Sequence, residues 1–285
     1  MKSLHFTLPH GFRGGIISDS EFSVGERENL LLNAYVPGYS QSSGYVTPSI
    51  RHCESANNWF TSDDNLAIWH GIWNHHIPLD AIHLLAGITR KQYLTSGFFV
   101  AHAACVGLDD LILLPGHSGS GKTAIALELM KRHGMRLYSG NTTVMQANED
   151  GTLTTIAGTK TITAKTTENK HSGIPYGDRA AFMLADHEYA QPEKIKAIAL
   201  VRLNDGRQDC TELSPDSALH TLYPLFMDTV HADVLVAGKV FDGSISNDKK
   251  ELLAHMLRIA VERTPAVSLV GSLDYIVDSI ARLFL

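Results

Sequence analysis

The sequence has few cysteines, and none of them are paired. Cys53, Cys105 and Cys210 are scattered over 285 residues and form no C-x-x-C motif. Their odd number and wide spacing argue against a disulfide framework and against a zinc knuckle. Cys105 lies in an apolar stretch and is interpreted as an inert core residue.

Long apolar runs and basic runs are also missing. No run of 18 apolar residues occurs, and residues 1–16 lack the charged-then-apolar pattern of a signal peptide. The net charge is −6 with no cluster of Lys and Arg, which argues against nucleic-acid binding. We therefore expect a cytoplasmic protein with neither a nucleic acid nor a membrane as its partner.

The remaining composition is that of an ordinary globular protein. Hydrophobic residues make up 44% of the chain and charged residues 19%. The length suits one large domain or two modest ones, and internal repeats and low-complexity tracts are absent. A change of character near residue 95 predicts a divergent N-terminal region, 1–95, and a second domain, 96–285.

Hydrophobic patterning predicts an α/β protein. Residues 1–60 favour short strands and turns, including an alternating stretch at 29–36. The apolar spacing at 65–76 predicts a helix, and 79–85 predicts a second one. Further strands are predicted at 135–138, 143–146, 152–156, 160–164, 196–203 and 266–270, and further helices at 217–227, 249–262 and 273–284.

The chemistry is concentrated in one glycine-rich loop. The pattern G-x-x-x-x-G-K-S/T is matched between an apolar strand, 111–115, and a helix, 123–133, that stops at Gly134. Glycines let backbone N–H groups turn toward phosphate oxygens, and the helix N-terminus adds its dipole. Lys122 is predicted to contact the β- and γ-phosphates, and the Thr123 hydroxyl is predicted to ligate Mg²⁺. The predicted binding residues for the nucleoside triphosphate are Gly116, His117, Ser118, Gly119, Ser120, Gly121, Lys122, Thr123 and Ala124.

The strand that enters this loop is predicted to be the second arm of a β-hairpin. Its first arm is 98–106 and its turn is 107–110, which makes the sheet largely antiparallel. If Val106 faces Leu111, His102 lies opposite Pro115, beside the loop. Asp109 and Asp110 then fall about 15 Å away and are interpreted as turn residues. His102 is either a structural strand residue or a residue of the phosphate site.

Residues 98–145 resemble the core of HPr kinase/phosphorylase and its relatives, among them small HPr-kinase-like enzymes of biosynthetic gene clusters. The likeness is carried by the His102-Ala-Ala strand, the short turn, LILLPGHSGSGKT, the helix and the strand beginning Arg136-Leu137. Segments 196–203 and 265–274 are similar more weakly, and residues 1–95 show no likeness. The resemblance implies a PEP-carboxykinase-like P-loop fold, ATP and Mg²⁺ as cofactors, and His102 near the transferred phosphate. Relatives often form rings, so a homo-oligomer is among its implications.

The chain departs from that family after the Arg136-Leu137 strand. The family carries an acid pair there, whereas this sequence continues Gly140-Asn141-Thr142. The Asn141 amide oxygen can orient a hydroxyl or a metal, but it cannot act as a base. The candidates for the missing acid or base are His102, Asp178, Asp186, Glu188 and Asp228, and each is also readable as a surface or structural residue.

Other polar residues leave several interpretations open. Lys160, Lys165 and Arg179 are either phosphate or acceptor contacts or solvated basic side chains. His70, His75 and His76 suggest a metal, but Trp69 and Trp73 at helical spacing favour a half-buried aromatic helix.

The leading hypothesis is an ATP- and Mg²⁺-dependent kinase that phosphorylates a hydroxyl of a small metabolite or a peptide. His102, Lys122, Asn141 and Asp178 are its proposed catalytic residues, and residues 1–95 would shape the acceptor side. The alternatives are a nucleotide-binding sensor that has lost its catalytic acids, a nucleotide hydrolase, and a kinase acting on a protein in trans. The choice of ATP over GTP follows only from the resemblance.

Overall fold

The computed structural model describes residues 2–44, 49–63, 66–165, 173–176, 179–227, 234–236 and 239–285. Within them the chain is a mixed α/β protein with several sheets and six α-helices. The helices are α1 (Glu26–Tyr35), α2 (Leu79–Thr95), α3 (Lys122–His133), α4 (Pro215–Met227), α5 (Asn247–Arg263) and α6 (Leu273–Phe284). Two 3₁₀ turns span Pro9–Gly11 and Asp186–Glu188.

The strands fall into an N-terminal set and a C-terminal set. The first set is β1 (Lys2–Thr7), β2 (Arg13–Ser18), β3 (Phe22–Ser23), β4 (Ser40–Ser42), β5 (Ile50–Glu54), β6 (Trp59–Ser62), β7 (Ala67–Gly71) and β8 (His75–His76). The second begins with β9 (Phe99–Ala101), β10 (Ala103–Gly107), β11 (Leu111–Pro115), β12 (Arg136–Ser139), β13 (Thr143–Ala147), β14 (Leu153–Gly158) and β15 (Ile162–Lys165). It continues with β16 (Ile174–Tyr176), β17 (Arg179–Phe182), β18 (Lys194–Leu203), β19 (Asp209–Glu212), β20 (Val234–Val236), β21 (Lys239–Phe241) and β22 (Ala266–Gly271).

Six of the N-terminal strands build a sheet in the order β4-β1-β2-β5-β7-β6, and β3 and β8 pair separately. Strands β2, β5 and β7 are parallel, and the outer pairs are antiparallel. Alternate residues of β7 are buried, which is the pattern of a sheet with one face on the core. The prediction of short strands for residues 1–60 is therefore confirmed in general.

The predicted helix at 65–76 is wrong. Residues 67–71 form β7, which pairs in parallel with β5. Ala67, Trp69 and Gly71 are buried while Ile68 and His70 are partly exposed, so the true period is two residues. Trp73 lies beyond the strand and meets Trp69 edge to face at 6.4 Å between ring centres, which places the two rings together without a helix. Asn65 lies outside the described residues.

The strand predicted at 29–36 is also wrong, because this segment belongs to α1. The Glu28 carboxylate accepts the Gly25 N–H at 3.0 Å, which caps the helix start. Leu30, Leu31 and Leu32 are all buried. Burial on more than one side removes the 3.6-residue pattern that marks a surface helix.

The other helix predictions are confirmed. The one predicted at 79–85 runs on as α2 to Thr95, and the predicted C-terminal helices are observed as α4, α5 and α6. None of the helices in the described part of the chain is long and apolar enough to span a membrane.

Nine of the C-terminal strands build a mixed sheet, while β15, β17 and β16 form a second sheet and β20 and β21 a third. The path of the nine-stranded sheet is β12-β10-β11-β18-β14-β13-β9, and β22 and β19 extend it beside β18. Strands β11, β18 and β22 are parallel, and every other pairing in this sheet is antiparallel. The prediction of a mixed, largely antiparallel sheet is confirmed.

The predicted hairpin before the glycine-rich loop is present with two corrections. Its first arm breaks at His102, so that β9 pairs with β13 while β10 pairs with β11. The register also differs by one residue, because Val106 faces Ile112 and Ala103 faces Pro115. Gly107 makes this tighter turn feasible, since a Cβ there would lie 2.1 Å from the Asp110 carbonyl oxygen. Asp109 is exposed in the turn, as predicted.

Two hydrophobic cores lie on the two faces of the large sheet. The smaller core packs α3 and α6 on one face, through residues such as Ile112, Leu129 and Ile276. The larger core joins both halves of the chain, from Leu4 to Ala266. The boundary predicted near residue 95 falls at the end of α2, and the division into two domains stays a prediction.

Candidate functional site

The glycine-rich loop connects the end of β11 to the start of α3. Gly119 and Gly121 have φ of 79° and 92°, which only glycine adopts readily. A Cβ on Gly116 would lie 2.6 Å from Ser120 Oγ, and one on Gly121 would lie 2.3 Å from the Leu203 side chain. The loop therefore needs glycine at these positions for its close turns and for its approach to the end of β18.

Lys122 lies inside this loop. Its ammonium group donates hydrogen bonds to the carbonyl oxygens of Gly116 at 2.7 Å and His117 at 2.9 Å. The residue is only 6% exposed although it carries a full charge. A buried ammonium needs several oxygen partners, and the loop supplies them.

Helix α3 presents its N-terminus to the same place. No acidic residue occupies its first turn, and its last turn carries Lys131, Arg132 and His133 before the left-handed cap at Gly134. The first backbone N–H groups of a helix have no partner within it and carry partial positive charge. This end of α3 can therefore receive an anion.

A cavity of about 1160 Å³ opens over the loop and extends along α3. One wall comes from the loop and α3, and the other comes from β15 and the segment 184–188. Its lining residues are His102, Ser118, Gly119, Gly121, Lys122, Thr123, Ala124, Leu127, Glu128, Met130, Lys131, Gly134, Met135, Arg136, Asn141, Thr163, Ala164, Leu184, His187, Glu188, Leu203 and Leu273.

Three of the four residues predicted as catalytic line this cavity. His102 precedes Ala103, which faces Pro115 at the loop end of the hairpin. Asn141 follows β12, whose Ser139 faces Cys105 at the same end. Lys122 lies between them in the loop, and the fourth residue, Asp178, lies outside the described residues.

The predicted binding residues form one continuous unit. Ser118, Gly119, Gly121, Lys122, Thr123 and Ala124 line the cavity, while Gly116, His117 and Ser120 complete the loop. The loop is tied to β18 by a hydrogen bond from the Leu203 N–H to the Ser120 carbonyl at 3.0 Å. The loop thus spans the ends of two parallel strands, β11 and β18.

The carboxylates of the cavity lie away from the loop. Tyr189 pairs with Leu137, so the neighbouring Glu188 lies beside the start of β12, on the order of 10–15 Å along the strand from Asn141. Its carboxylate accepts the Ala185 N–H at 2.8 Å. Asp186 is exposed and does not line the cavity, and Asp228 lies outside the described residues.

Glu128 is the other carboxylate that lines the cavity. A hydrogen bond from Arg132 at 2.6 Å, and then one from Lys131 at 3.3 Å, holds the pKa of Glu128 below its usual range. A carboxylate held ionised in this way is a weak proton acceptor. The ion pairs on α3 therefore account for Glu128 in the cavity wall without a role as a base.

Of the three basic residues considered as phosphate contacts, only Lys160 has a described side chain. The Lys160 ammonium lies 5.6 Å from the centre of the Tyr189 ring, and the residue does not line the cavity. Lys165 and Arg179 face each other across β15 and β17, and their side chains lie outside the described part.

The N-terminal histidines have partners of their own. His70 stacks on Trp59 with 3.9 Å between ring centres, and His76 lies 3.6 Å from the Glu28 carboxylate. Among the described residues, no group of three or more His, Cys, Asp or Glu side chains is arranged to hold a metal ion. Burial raises the pKa of the Cys105 thiol, in keeping with an inert core residue.

Several cavity residues escaped prediction. Leu127 and Leu203 belong to this group, together with Leu184, His187 and Leu273. Leu127 was detectable in principle, because it lies four residues after Thr123 on the same helix face. Leu203, Leu184 and Leu273 come together only through the order of the strands, which carries no local signal.

The residues present fit a triphosphate and Mg²⁺. The loop provides a cradle that a Cβ would fill, a helix N-terminus and a buried ammonium. The hydroxyl of Thr123 and the amide oxygen of Asn141 both line the cavity and would be hard oxygen ligands for Mg²⁺. Mg²⁺ typically takes only one or two protein ligands beside phosphates and water, so a large acidic cluster is not required.

Comparisons with known proteins give a distant likeness in structure alone. No family model matches the chain, and no curated protein matches it. Among solved structures the chain is similar to the HPr(Ser) kinase/phosphatase from Coxiella burnetii, with 11% sequence identity and a TM-score of 0.31. The match covers 65% of this chain and 96% of that one. At this level the similarity carries no argument about function, which depends on the geometry of the site.

Proposed function

We propose that this chain is a kinase that binds ATP and Mg²⁺ at the loop 116–123 and transfers the γ-phosphoryl group to a hydroxyl. The acceptor is a small metabolite or a peptide. One observation carries the proposal: the loop, the α3 N-terminus, His102 and Asn141 all line one cavity, which is large enough for a nucleotide. The parallel strands β11, β18 and β22 behind the loop support a P-loop architecture of the PEP-carboxykinase and HPr-kinase type.

The side chains and the backbone of the loop have distinct roles in this proposal. The ammonium of Lys122 moves from the loop carbonyls to the β- and γ-phosphates, and the backbone N–H groups of 118–124 surround the phosphate oxygens. The Thr123 hydroxyl and the Asn141 amide oxygen hold Mg²⁺. When bound, the ion neutralises charge on the β- and γ-phosphates.

The proposed role of His102 is to accept the proton of the acceptor hydroxyl. The acceptor oxygen forms a bond to the γ-phosphorus, the bond from that phosphorus to the β–γ bridging oxygen breaks, and ADP leaves. The hydroxyl proton passes to the His102 imidazole. Phosphoryl transfer has a loose transition state, so positioning and charge neutralisation carry most of the catalysis and a strong base is not essential.

The test is a transfer reaction followed by mass spectrometry. The protein is incubated with ATP, Mg²⁺ and pooled hydroxyl metabolites and peptides, beside Lys122→Ala. Lys194→Ala is the matched control, because Lys194 is exposed at the end of β18 remote from the loop. A product heavier by one phosphate, formed by wild type and Lys194→Ala but not by Lys122→Ala, is the expected result. Free phosphate without such a product would indicate a hydrolase instead.

The second candidate is a nucleotide-binding sensor without catalysis. It is favoured by the partners of the carboxylates, since the two described ones that line the cavity, Glu128 and Glu188, are bonded to Arg132 and to the Ala185 N–H. A sensor would bind ATP with dependence on Lys122 and yield neither a phosphorylated product nor free phosphate.

A further inference from the structure

The segment that carries Asn141 is fixed by one buried hydroxyl. The Thr159 Oγ1 accepts the N–H of Asn141 at 3.1 Å and the N–H of Thr142 at 2.9 Å. Thr159 is fully buried. A hydroxyl has two acceptor lone pairs, and both are taken up by consecutive amides of this loop.

Backbone hydrogen bonds join the same two segments. The Gly140 N–H donates to the Thr159 carbonyl at 2.9 Å, and the Thr159 N–H donates to the Thr142 carbonyl at 3.1 Å. Residues 140–142 are therefore held against residue 159 by four hydrogen bonds, and Asn141 of this clamp lines the cavity. We call residues 140–142 and 159 the Asn141 clamp.

Helix α1 anchors the chain directly after the clamp. The Asn33 carbonyl accepts the N–H groups of Lys160 at 3.0 Å and Thr161 at 3.3 Å, and the Leu30 carbonyl accepts the Thr161 hydroxyl at 2.7 Å. In a continuing helix the Asn33 carbonyl would bond to residue 37, but Pro37 has no N–H. The proline thus leaves a carbonyl for the segment that follows the clamp.

Helix α2 anchors the clamp from a second direction. The guanidinium of Arg90 donates to the Thr142 Oγ1 at 3.2 Å. Arg90 is 6% exposed and Thr142 is fully buried, so this contact is shielded from water. Both contacts come from the first 95 residues, while Asn141 belongs to the half that carries the phosphate loop.

We propose that Thr159 is a positioning residue. Its hydroxyl holds the backbone of Asn141 so that the side-chain amide of Asn141 is positioned for the metal-bound triphosphate, and α1 and α2 brace the Asn141 clamp through Asn33 and Arg90. This inference rests on the proposed function of the loop. It assigns the N-terminal region a part in nucleotide and metal binding in addition to any part in acceptor binding. A side chain that orients a metal ligand typically changes metal affinity or activity by about 10- to 100-fold when it is removed.

The first measurement is hydrogen exchange in the full-length protein. In wild type the amides of Asn141 and Thr142 are expected to be protected. In Thr159→Val, which keeps the shape and removes the hydroxyl, those two amides are expected to exchange faster while the amides of β18 are unchanged. Thr159→Ser should restore the protection. Unprotected amides in wild type, or unchanged protection in Thr159→Val, would overturn the proposal without reference to any nucleotide.

The second measurement is the effect of Mg²⁺ on binding of the β,γ-methylene analogue of ATP, from titrations with Mg²⁺ and with EDTA. Thr159→Val and Asn141→Ala are each expected to reduce the affinity gain from Mg²⁺ about 10-fold while binding in EDTA stays the same. Thr155→Val is the matched control, because the buried Thr155 hydroxyl bonds the Glu193 backbone at 3.1 and 3.0 Å on the neighbouring strand. It should be less stable than wild type and keep the full Mg²⁺ effect.

The outcomes separate this proposal from the kinase proposal. An intact Mg²⁺ effect in Thr159→Val, beside its loss in Asn141→Ala, would overturn the positioning role and leave the kinase function standing. If the wild-type protein transfers no phosphate and Thr159→Val loses the Mg²⁺ effect on binding, the kinase proposal is contradicted and the positioning role is supported. If Thr155→Val also loses the Mg²⁺ effect, the role of Thr159 is purely structural and the positioning role is overturned.

Discussion

The large sheet and the six-stranded N-terminal sheet are covered in different ways. Every residue of β10 and β11 in the large sheet is buried, because helices α3 and α6 cover one face and the larger core covers the other. In the N-terminal sheet, β7 alternates between buried and partly exposed residues. The second face is covered by the N-terminal region together with α4 and α5, whose buried residues belong to the same larger core. A site at the end of a sheet covered on both faces has a rigid support.

The buried polar groups of the two halves differ in the same sense. His52 in the N-terminal half is enclosed by internal partners: the Ser18 hydroxyl at 2.7 Å from Nδ1, the Gly71 carbonyl at 2.9 Å from Nε2, and the Trp73 ring stacked at 4.0 Å. Lys122 in the C-terminal half is equally buried but lines a cavity. A buried group with internal partners stabilises a fold, whereas one at a cavity can exchange its partners for a ligand.

The largest expected effects come from the cores. Leu129→Ala in α3 and Leu85→Ala in α2 remove equally buried side chains from the smaller and the larger core, and each should lower the free energy of unfolding by about 3 kcal/mol in urea titrations. Only Leu129 belongs to the helix that begins at the phosphate loop, so Leu129→Ala should also weaken ATP binding more than Leu85→Ala does. Equal losses of affinity in both variants would erase the difference between the two covers.

A smaller effect separates two glycines of the loop. Gly121→Ala should cost about 2 kcal/mol in the free energy of unfolding, because its φ is 92° and its Cβ would meet Leu203. Gly119→Ala should cost about 1 kcal/mol, since its φ is 79° but no atom lies within 4 Å of its Cβ. Paired urea titrations measure both. Equal costs would mean that the loop does not press against the end of β18.

The sequence was informative where local signals agree. The phosphate loop, α3 and the Gly134 cap follow from residue types at fixed spacings. The break at His102 and the register of the hairpin do not, because they depend on Gly107 tightening the turn and on β9 leaving to pair with β13. The turn end of this hairpin is thus set by the close approach of Gly107 to Asp110, and the other end by the long-range pairing of β9 with β13.

The N-terminal half was harder to predict for a different reason. Trp69 and Trp73 are four residues apart, which is the spacing of residues on one face of a helix, yet Trp69 lies in a strand and Trp73 lies beyond it. Helix α1 is buried on more than one side, so its apolar residues show no helical stripe. The role of Thr159 could not be predicted from the sequence either. It comes from hydrogen bonds to Asn141 and Thr142, which lie 18 and 17 residues earlier in the chain.

The smallest expected effect is the pH dependence of the N-terminal half. Burial lowers the pKa of His52, opposed by its bond to Gly71 and by the nearby Asp19 and Glu54, while His70 adds to the lowering. The unfolded chain therefore takes up this proton first, near pH 6.5, and the contribution of His52 to stability is present above that pH and falls below it. The expected loss between pH 7 and pH 5.5 is under about 1 kcal/mol.

Urea midpoints at the two pH values check this expectation. The His52→Gln variant should lose that part of the pH dependence, and the part due to His83, whose pKa burial also lowers, should remain. A pH dependence as large as in wild type would show that His52 is not the group responsible.

The most direct test of the central claim is a set of calorimetric titrations with ATP, ADP and AMP in Mg²⁺, for wild type and Lys122→Ala. If the loop 116–123 binds the phosphate chain, affinity falls from ATP to ADP to AMP, and Lys122→Ala removes the preference for ATP. Equal affinity for AMP and ATP, or an unchanged preference in Lys122→Ala, would contradict the assignment of this loop as a triphosphate site.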